Sequence, residues 1–189
     1  MSPRDSNRDS PDTSYTPVRS RREFLTPLIL AVVIVIVDQI TKAIIVANVP
    51  LFYETGFRIE VWGDFLRIIH ARNLGIAFSI GAGLPEVMRR ILFVGLPVVV
   101  LSVLVVSFYR SPELTGRQRW WVAAIIGGGV GNIIDRVVRP LGVVDFIDVR
   151  IYGLFGMERW PTFNVADASV VVGGILLVVS MLFTTDGSR

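Results

Sequence analysis

Residues 24–49 read FLTPLILAVVIVIVDQITKAIIVANV. A helix crosses the hydrocarbon core of a bilayer with roughly 20 apolar residues, and this run exceeds that length. Its second half is broken by Asp38, Gln39, Thr41, Lys42 and Asn48. A charge at that depth is costly and faces the protein interior with a partner. Asp38 and Lys42 stand four apart with the acid first, so they share one helix face and can pair. The stretch therefore predicts a spanning helix that carries its own ion pair into a bundle.

Three further apolar runs complete the pattern: Ile91 to Tyr109, with a kink expected at Pro97, Trp120 to about Val138, and about Val165 to Phe183. Hydrophobic residues make up 52% of the 189 residues, more than a water-soluble domain of this size usually carries. The expected fold is a mostly α membrane protein with four transmembrane helices and a small antiparallel β-sheet outside them. Cysteine is absent, which excludes disulfides, a thiol nucleophile and Cys-ligated zinc. His70 is the single histidine, so HExxH cannot be written and any Ser-His-Asp triad would have to use it. It lies in an alternating outer segment and is expected at the surface or boundary.

Four spans place both termini on one side. Arg4, Arg8, Arg19, Arg21 and Arg22 precede the first span, and Arg110, Arg117 and Arg119 fill the short loop between the second and third. Positive charge is retained in the cytoplasm, so the termini and that loop are expected there, with the long loops outside. Ser20-Arg21-Arg22-Glu23-Phe24-Leu25 looks like a twin-arginine signal. The run behind it is long enough to span and holds an acid and a base, so the arginines are read as a cytoplasmic anchor. The expected organisation is a disordered tail over 1–23, a membrane domain over 24–185 with a sheet insert at about 51–72 and an outer loop at about 139–163, and a cytoplasmic end over 186–189. In the insert, Phe57 to Val61 alternates, Gly63-Asp64 signals a turn, and Phe65 to Ile69 follows. Phe52, Trp62 and Phe65 suit the headgroup level.

The third span ends in Gly127-Gly128-Gly129-Val130-Gly131-Asn132-Ile133-Ile134-Asp135-Arg136. Gly127 and Gly131 have the spacing that lets helix backbones approach closely. Asn132, Asp135 and Arg136 follow on one face, with Asp135 able to pair with Arg136 or Arg139. Beyond it, Val143-Val144-Asp145-Phe146-Ile147-Asp148 embeds an acid in an apolar run, where desolvation raises a carboxyl pKa. The fourth span opens Phe163-Asn164-Val165-Ala166-Asp167, with Asn164 as N-cap and Asp167 at the third helical position. Antiparallel packing of the last two spans brings Asp145 and Asp167 to one boundary. Two facing carboxylates share a proton and can activate water against a peptide bond, with no metal or cofactor. Two rivals are a serine–lysine peptidase using Lys42 (with Ser79, for example) and a non-enzymatic four-helix transporter or assembly factor with buried charges.

Asp38 to Lys42, Arg72 to Ser79, Gly131 to Arg136, Val144 to Asp148 and Phe163 to Asp167 together resemble the signal peptidase II family, in its order, across about residues 25–184. The resemblance implies an aspartic endopeptidase of the bacterial cytoplasmic (inner) membrane with four spans and a small periplasmic sheet. It implies cleavage of prolipoproteins before a diacylglyceryl-modified cysteine, near the outer face. It further implies that Asp145 and Asp167 are the catalytic pair, and that Asp38, Lys42, Asn73, Gly75, Asn132, Asp135, Arg136 and Asn164 bind substrate or brace the site. Expected partners are the lipidated substrate and membrane lipid, with no nucleic acid and a monomeric chain. The tail is longer than the family core, and Arg150 to Pro161 is a longer outer loop that can close over substrate.

Overall fold

In the computed structural model the described residues are 21–75 and 83–184. The expectations for the first twenty residues, for Ile76 to Ser79 and for the last five residues lie outside them. Among the described residues, four helices are long and apolar enough to span a membrane. The first is α1 (Arg21–Asn48), followed by a single turn, α2 (Phe52–Thr55). The second combines α3 (Glu86–Arg90), a π turn over Ile91–Gly95 and α4 (Leu96–Arg110). The third and fourth are α5 (Gly116–Val138) and α6 (Val165–Thr184). The break expected at Pro97 takes the form of that π turn. Proline has no N–H to close the α pattern onto the preceding turn, and a wider turn absorbs the mismatch.

The helices expose their large apolar side chains and bury their polar ones. Leu25, Ile29, Val32 and Ile36 are exposed along α1, and Val171, Ile175, Val178 and Leu182 along α6, while Asp38, Lys42 and Asp135 are fully buried. Such inversion fits a lipid surround, where association rests on close packing and polar contact rather than on burying apolar area. The close packing comes from glycine. A Cβ on Gly127 would lie 2.8 Å from the Ala31 carbonyl oxygen and one on Gly131 2.7 Å from an Asp38 carboxylate oxygen, so both press on α1. Gly128 faces α6, where a Cβ would collide with the Ala166 carbonyl. α5 is thus the central helix, touching α1, α4 and α6.

At the far end of the bundle, α5 starts with a reciprocal cap: Thr115 accepts from the Gln118 N–H, and Gln118 accepts from the Thr115 N–H. Arg119 departs from the expectation of a free loop charge. It is 1% exposed, stacked 4.5 Å above the Phe24 ring, and donates to the carbonyls of Phe108 and Ser111. Its planar guanidinium thereby closes the open C-terminal end of α4.

The near end carries a three-stranded antiparallel sheet, β1 (Ile59–Trp62), β2 (Leu66–Asn73) and β3 (Val143–Val149), in that order. The insert therefore supplies only two strands and runs one residue past its expected end. The third strand comes from the connection between α5 and α6, with Leu66 opposite Val149, Ala71 opposite Asp145 and Asn73 opposite Val143. His70 is corrected as well: it is buried, and its Nδ1 lies 2.8 Å from the Val49 carbonyl. The Nδ1–H donates there and caps the end of α1, while burial pushes the imidazole pKa down. The long loop after β3 is a hairpin extension, with Ile151 donating to the Glu158 carbonyl and Trp160 to the Val149 carbonyl.

A bulky side chain at Gly128 forces α5 and α6 apart. Gly128→Val is expected to destabilise the protein by about 1–3 kcal/mol, read as a fall in Tm in detergent micelles. Gly116→Ala, which meets nothing within 4 Å, should leave Tm unchanged or slightly raised. Equal Tm values for Gly128→Val and wild type would contradict the close approach.

Candidate active site

The site is assembled where the ends of α1 and α5 meet β3 and the start of α6. Lys42 lies at its base. Its Nζ is 2.8 Å from Asp38 Oδ2, 3.0 Å from Asp135 Oδ2 and 3.0 Å from Asn132 Oδ1. An ammonium has three hydrogens to give, and these three acceptors take them. Among the described residues Lys42 is engaged by two carboxylates and an amide oxygen and by no hydroxyl, which leaves the serine–lysine reading without support.

The acceptors pass order to the next layer. Asp38 Oδ1 accepts the Ala166 N–H at 3.0 Å, so a carboxylate from α1 meets a free amide in the first turn of α6, where negative charge is favoured. Asp135 pairs with Arg139 at 3.0 Å and accepts the Val144 N–H at 3.1 Å. Of the two partners open in the sequence, Arg139 is the one used. Arg136 instead donates to the carbonyls of Asn132, at 3.3 Å, and Gly75, at 3.5 Å. Gln39 was missed as a site residue. Its Nε2 bridges Asp38, the Gly131 carbonyl and Asp135 at 3.0–3.1 Å, although it stands about 100° around the helix from Asp38. An amide inside an apolar run was the available signal.

Asn164 joins the two candidate acids. Its Oδ1 accepts the Asp167 N–H at 2.9 Å, and Asp167 Oδ2 accepts the Asn164 N–H at 3.2 Å. This is the reciprocal N-terminal cap anticipated from the sequence. The Asn164 Nδ2 meanwhile donates to Asp145 Oδ1 at 2.7 Å and lies 3.2 Å from Asn132 Oδ1. The second oxygen of each acid has its own amide: Asn73 donates to Asp145 Oδ2 at 3.1 Å, and Asn132 to Asp167 Oδ1 at 2.7 Å. Asn73 is oriented in turn by Gly75, whose N–H reaches Asn73 Oδ1 at 3.0 Å, a turn that asparagine forms readily. All ten residues proposed from the sequence converge on this one region.

Asp145 is 3% exposed. Burial, and then the charge of Asp167, push its carboxyl pKa up to about 6, against the opposing hydrogen bonds from Asn73 and Asn164. A desolvated acid beside a second carboxylate holds its proton, and two such groups titrate as a pair.

A family model described as signal peptidase (SPase) II matches residues 30–183. The chain belongs to the signal peptidase II family. The lipoprotein signal peptidase of Treponema pallidum is 45% identical over 164 residues, covering 87% of each chain. That of Treponema denticola is 43% identical over 165 residues, covering 87% of this chain and 93% of the relative. Among solved structures, a bacterial membrane enzyme determined by the in meso method at 2.3 Å resolution superposes with a TM-score of 0.73 at 34% identity, over 87% of this chain and 92% of that one. Signal peptidase II is an aspartic peptidase, so this is a multi-pass bacterial membrane protease, and the transporter reading is set aside.

The raised pKa of Asp145 has a stability consequence with a definite sign. A carboxyl that binds its proton more tightly when folded contributes stability below the unfolded value of about 4, and loses it as pH rises through about 6. Asp145→Asn removes the burdensome charge. It should raise Tm at pH 7.5 by the equivalent of up to about 3 kcal/mol, with the gain vanishing below pH 4. A gain independent of pH would show that the charge is not its source.

Proposed function

We propose that Asp145 and Asp167 are the catalytic pair with which this signal peptidase II removes the signal peptide of prolipoproteins. Cleavage falls before the diacylglyceryl-modified cysteine, at the outer face of the bacterial cytoplasmic membrane. The observation that carries the reading is Asn164, which hydrogen-bonds both carboxylates and so presents them to one gap. Asp145 keeps the shared proton, because burial and its neighbour's charge oppose ionisation. Asp167 has the backbone N–H of Asn164, the residue that caps α6, and the Asn132 amide to support its negative charge. Asp167 accepts a proton from water as the water oxygen attacks the scissile carbonyl carbon, and Asp145 gives its proton to the carbonyl oxygen. Collapse of the tetrahedral intermediate breaks the C–N bond and the amine leaves with a proton from the pair. Peptide closing over the gap displaces the remaining water and strengthens each of these interactions.

A site at the boundary between apolar spans and an outer sheet suits a substrate that is part peptide and part acyl chain. Arginines at both tail and short loop support cytoplasmic termini, which leaves the sheet outside. Asp38, Lys42, Asn132, Asp135, Gln39 and Asn164 position the pair, while Asn73, Gly75 and Arg136 border the gap. One enclosed pair per chain supports a monomer.

The test is cleavage of a lipidated and an unlipidated prolipoprotein peptide by wild type, Asp145→Asn and Asp167→Asn. Each variant should lose at least about 1,000-fold in kcat while remaining folded; removal of a group that acts as part of a catalytic unit costs on that order. Wild type should prefer the lipidated peptide. Full activity in either variant would sink the assignment, and equal cleavage of both peptides would sink the substrate class.

A further inference from the structure

The hairpin that extends β3 ends in an apolar tip. From Ile151 to Met157 the sequence carries no charged residue, yet Tyr152 is 67% exposed, Leu154 56% and Phe155 76%. Tyr152 and Phe155 also hold a left-handed backbone, with φ of 51° and 55°, a region that aromatic residues rarely adopt. Such conformations persist only where their surroundings enforce them, and they gather at functional segments. The root of the hairpin supplies the enforcement. Arg159 donates to the Asp64 carbonyl at 2.7 Å and to its carboxylate at 3.0 Å, and pairs with Asp148 at 3.2 Å. Arg150 pairs with Asp64 and with Glu158, and its guanidinium lies 5.1 Å above the Tyr152 ring. The charges at the root are thus paired with one another, and the face that the hairpin turns outward is apolar.

Two partners suit such a tip, a substrate held at the gap and the bilayer beside it, and the position of the hairpin favours the bilayer. The hairpin leads away from the acids. Asp145 stands opposite Ala71 and Val149 opposite Leu66, which puts the root roughly 13 Å further along the strand at about 3.3 Å per residue. Among the described residues, none of the hairpin lines the cavity beside Asn73 and Arg136. The root does lie at the membrane boundary, because Phe163 bridges to Ile147 and the next residue, Asn164, caps the spanning helix α6. Trp62, 73% exposed, and Phe65 extend the apolar rim to the β1–β2 turn, where the Phe65 carbonyl accepts the Arg150 N–H at 2.9 Å. We propose that Tyr152, Leu154 and Phe155, with Trp62 beside them, insert into the headgroup region of the leaflet on the sheet side and anchor the sheet to the bilayer. Aromatic side chains with an apolar body and a polar edge are enriched at that level, and shallow insertion gains strength with the apolar area buried. The anchor fixes the height of β3 over the membrane, whichever residues perform the cleavage.

The absence of cysteine makes single-site labelling clean. The full chain, as Tyr152→Cys or Phe155→Cys carrying a nitroxide, is reconstituted in vesicles of phosphatidylethanolamine and phosphatidylglycerol. Collisions are then measured with oxygen, which concentrates in lipid, and with a nickel chelate, which stays in water. Ile175→Cys on the exposed face of α6 serves as the lipid reference, and Glu113→Cys, exposed between the second and third spans, as the water reference. Both tip labels should collide with nickel several-fold less than the Glu113 label and keep a high oxygen collision rate, as the Ile175 label does. Adding Leu154→Ser/Phe155→Ser to the Tyr152 label should return it to water. Nickel collision at the tip equal to that at Glu113 would overturn the proposal, as would a Tyr152 label that stays shielded in the serine variant. Loss of both oxygen and nickel collisions would overturn it in favour of a protein contact. Shielding that arises only when lipidated prolipoprotein peptide is added would overturn it in favour of a lid over the substrate.

Discussion

The fold is organised around one ammonium that cannot reach water. Lys42 is fully buried at the depth of the spans, and leaving such a charge unpaired in low dielectric costs several kcal/mol. Its three hydrogens are taken by Asp38 from its own helix and by Asp135 and Asn132 from α5. Satisfying Lys42 therefore sets the rotation of α1 against α5. Glycine makes that approach possible, since Gly131 leaves room for the Asp38 carboxylate itself. In lipid, where no net hydrophobic force draws helices together, such a polar lock gives the bundle a unique arrangement.

The lock extends to the proposed chemistry without a loop between them. Asp38 holds the Ala166 amide and Asn132 holds Asp167, so two acceptors of Lys42 define the first turn of α6. Asp135 holds the Val144 amide, one residue before Asp145. Both acids are thus oriented by residues whose own positions follow from Lys42. This is the support that a pair of carboxylates needs to stay close, because their mutual repulsion would otherwise separate them. The raised pKa of Asp145 reflects its burial first and that closeness second.

Much of this was legible from local spacing. The i, i+4 relation predicted the Asp38–Lys42 pair, and Asn164 with Asp167 had the pattern of a reciprocal cap, which the structure shows. Both depend on one helix and its immediate start. What stayed hidden depends on contacts far apart in the chain. Asp145 lies on a strand paired with β2, and nothing near residue 145 announces Ala71 as its neighbour. His70 followed an outward alternation until the irregularity between Ile68 and Ala71, and it now turns in to meet Val49. Arg119 looked like a loop charge because its acceptors, the last carbonyls of α4, are defined only once that helix ends. Which of two arginines Asp135 would choose was open because Arg136 and Arg139 both stand within one helical turn of it.

The central claim is that buried charge balance around Lys42 builds the site, and a comparison of Lys42→Met with Lys42→Met/Asp38→Asn tests it most directly. Asp38, Asp135, Lys42 and Arg139 form a neutral group of two acids and two bases. Removing Lys42 alone leaves a buried negative charge, whereas removing Asp38 as well restores neutrality. Thermal unfolding in micelles should show a large loss of Tm for Lys42→Met, with a substantial part recovered in the double variant. A double variant that loses more Tm than Lys42→Met, or a Lys42→Met protein as stable as wild type, would contradict the account.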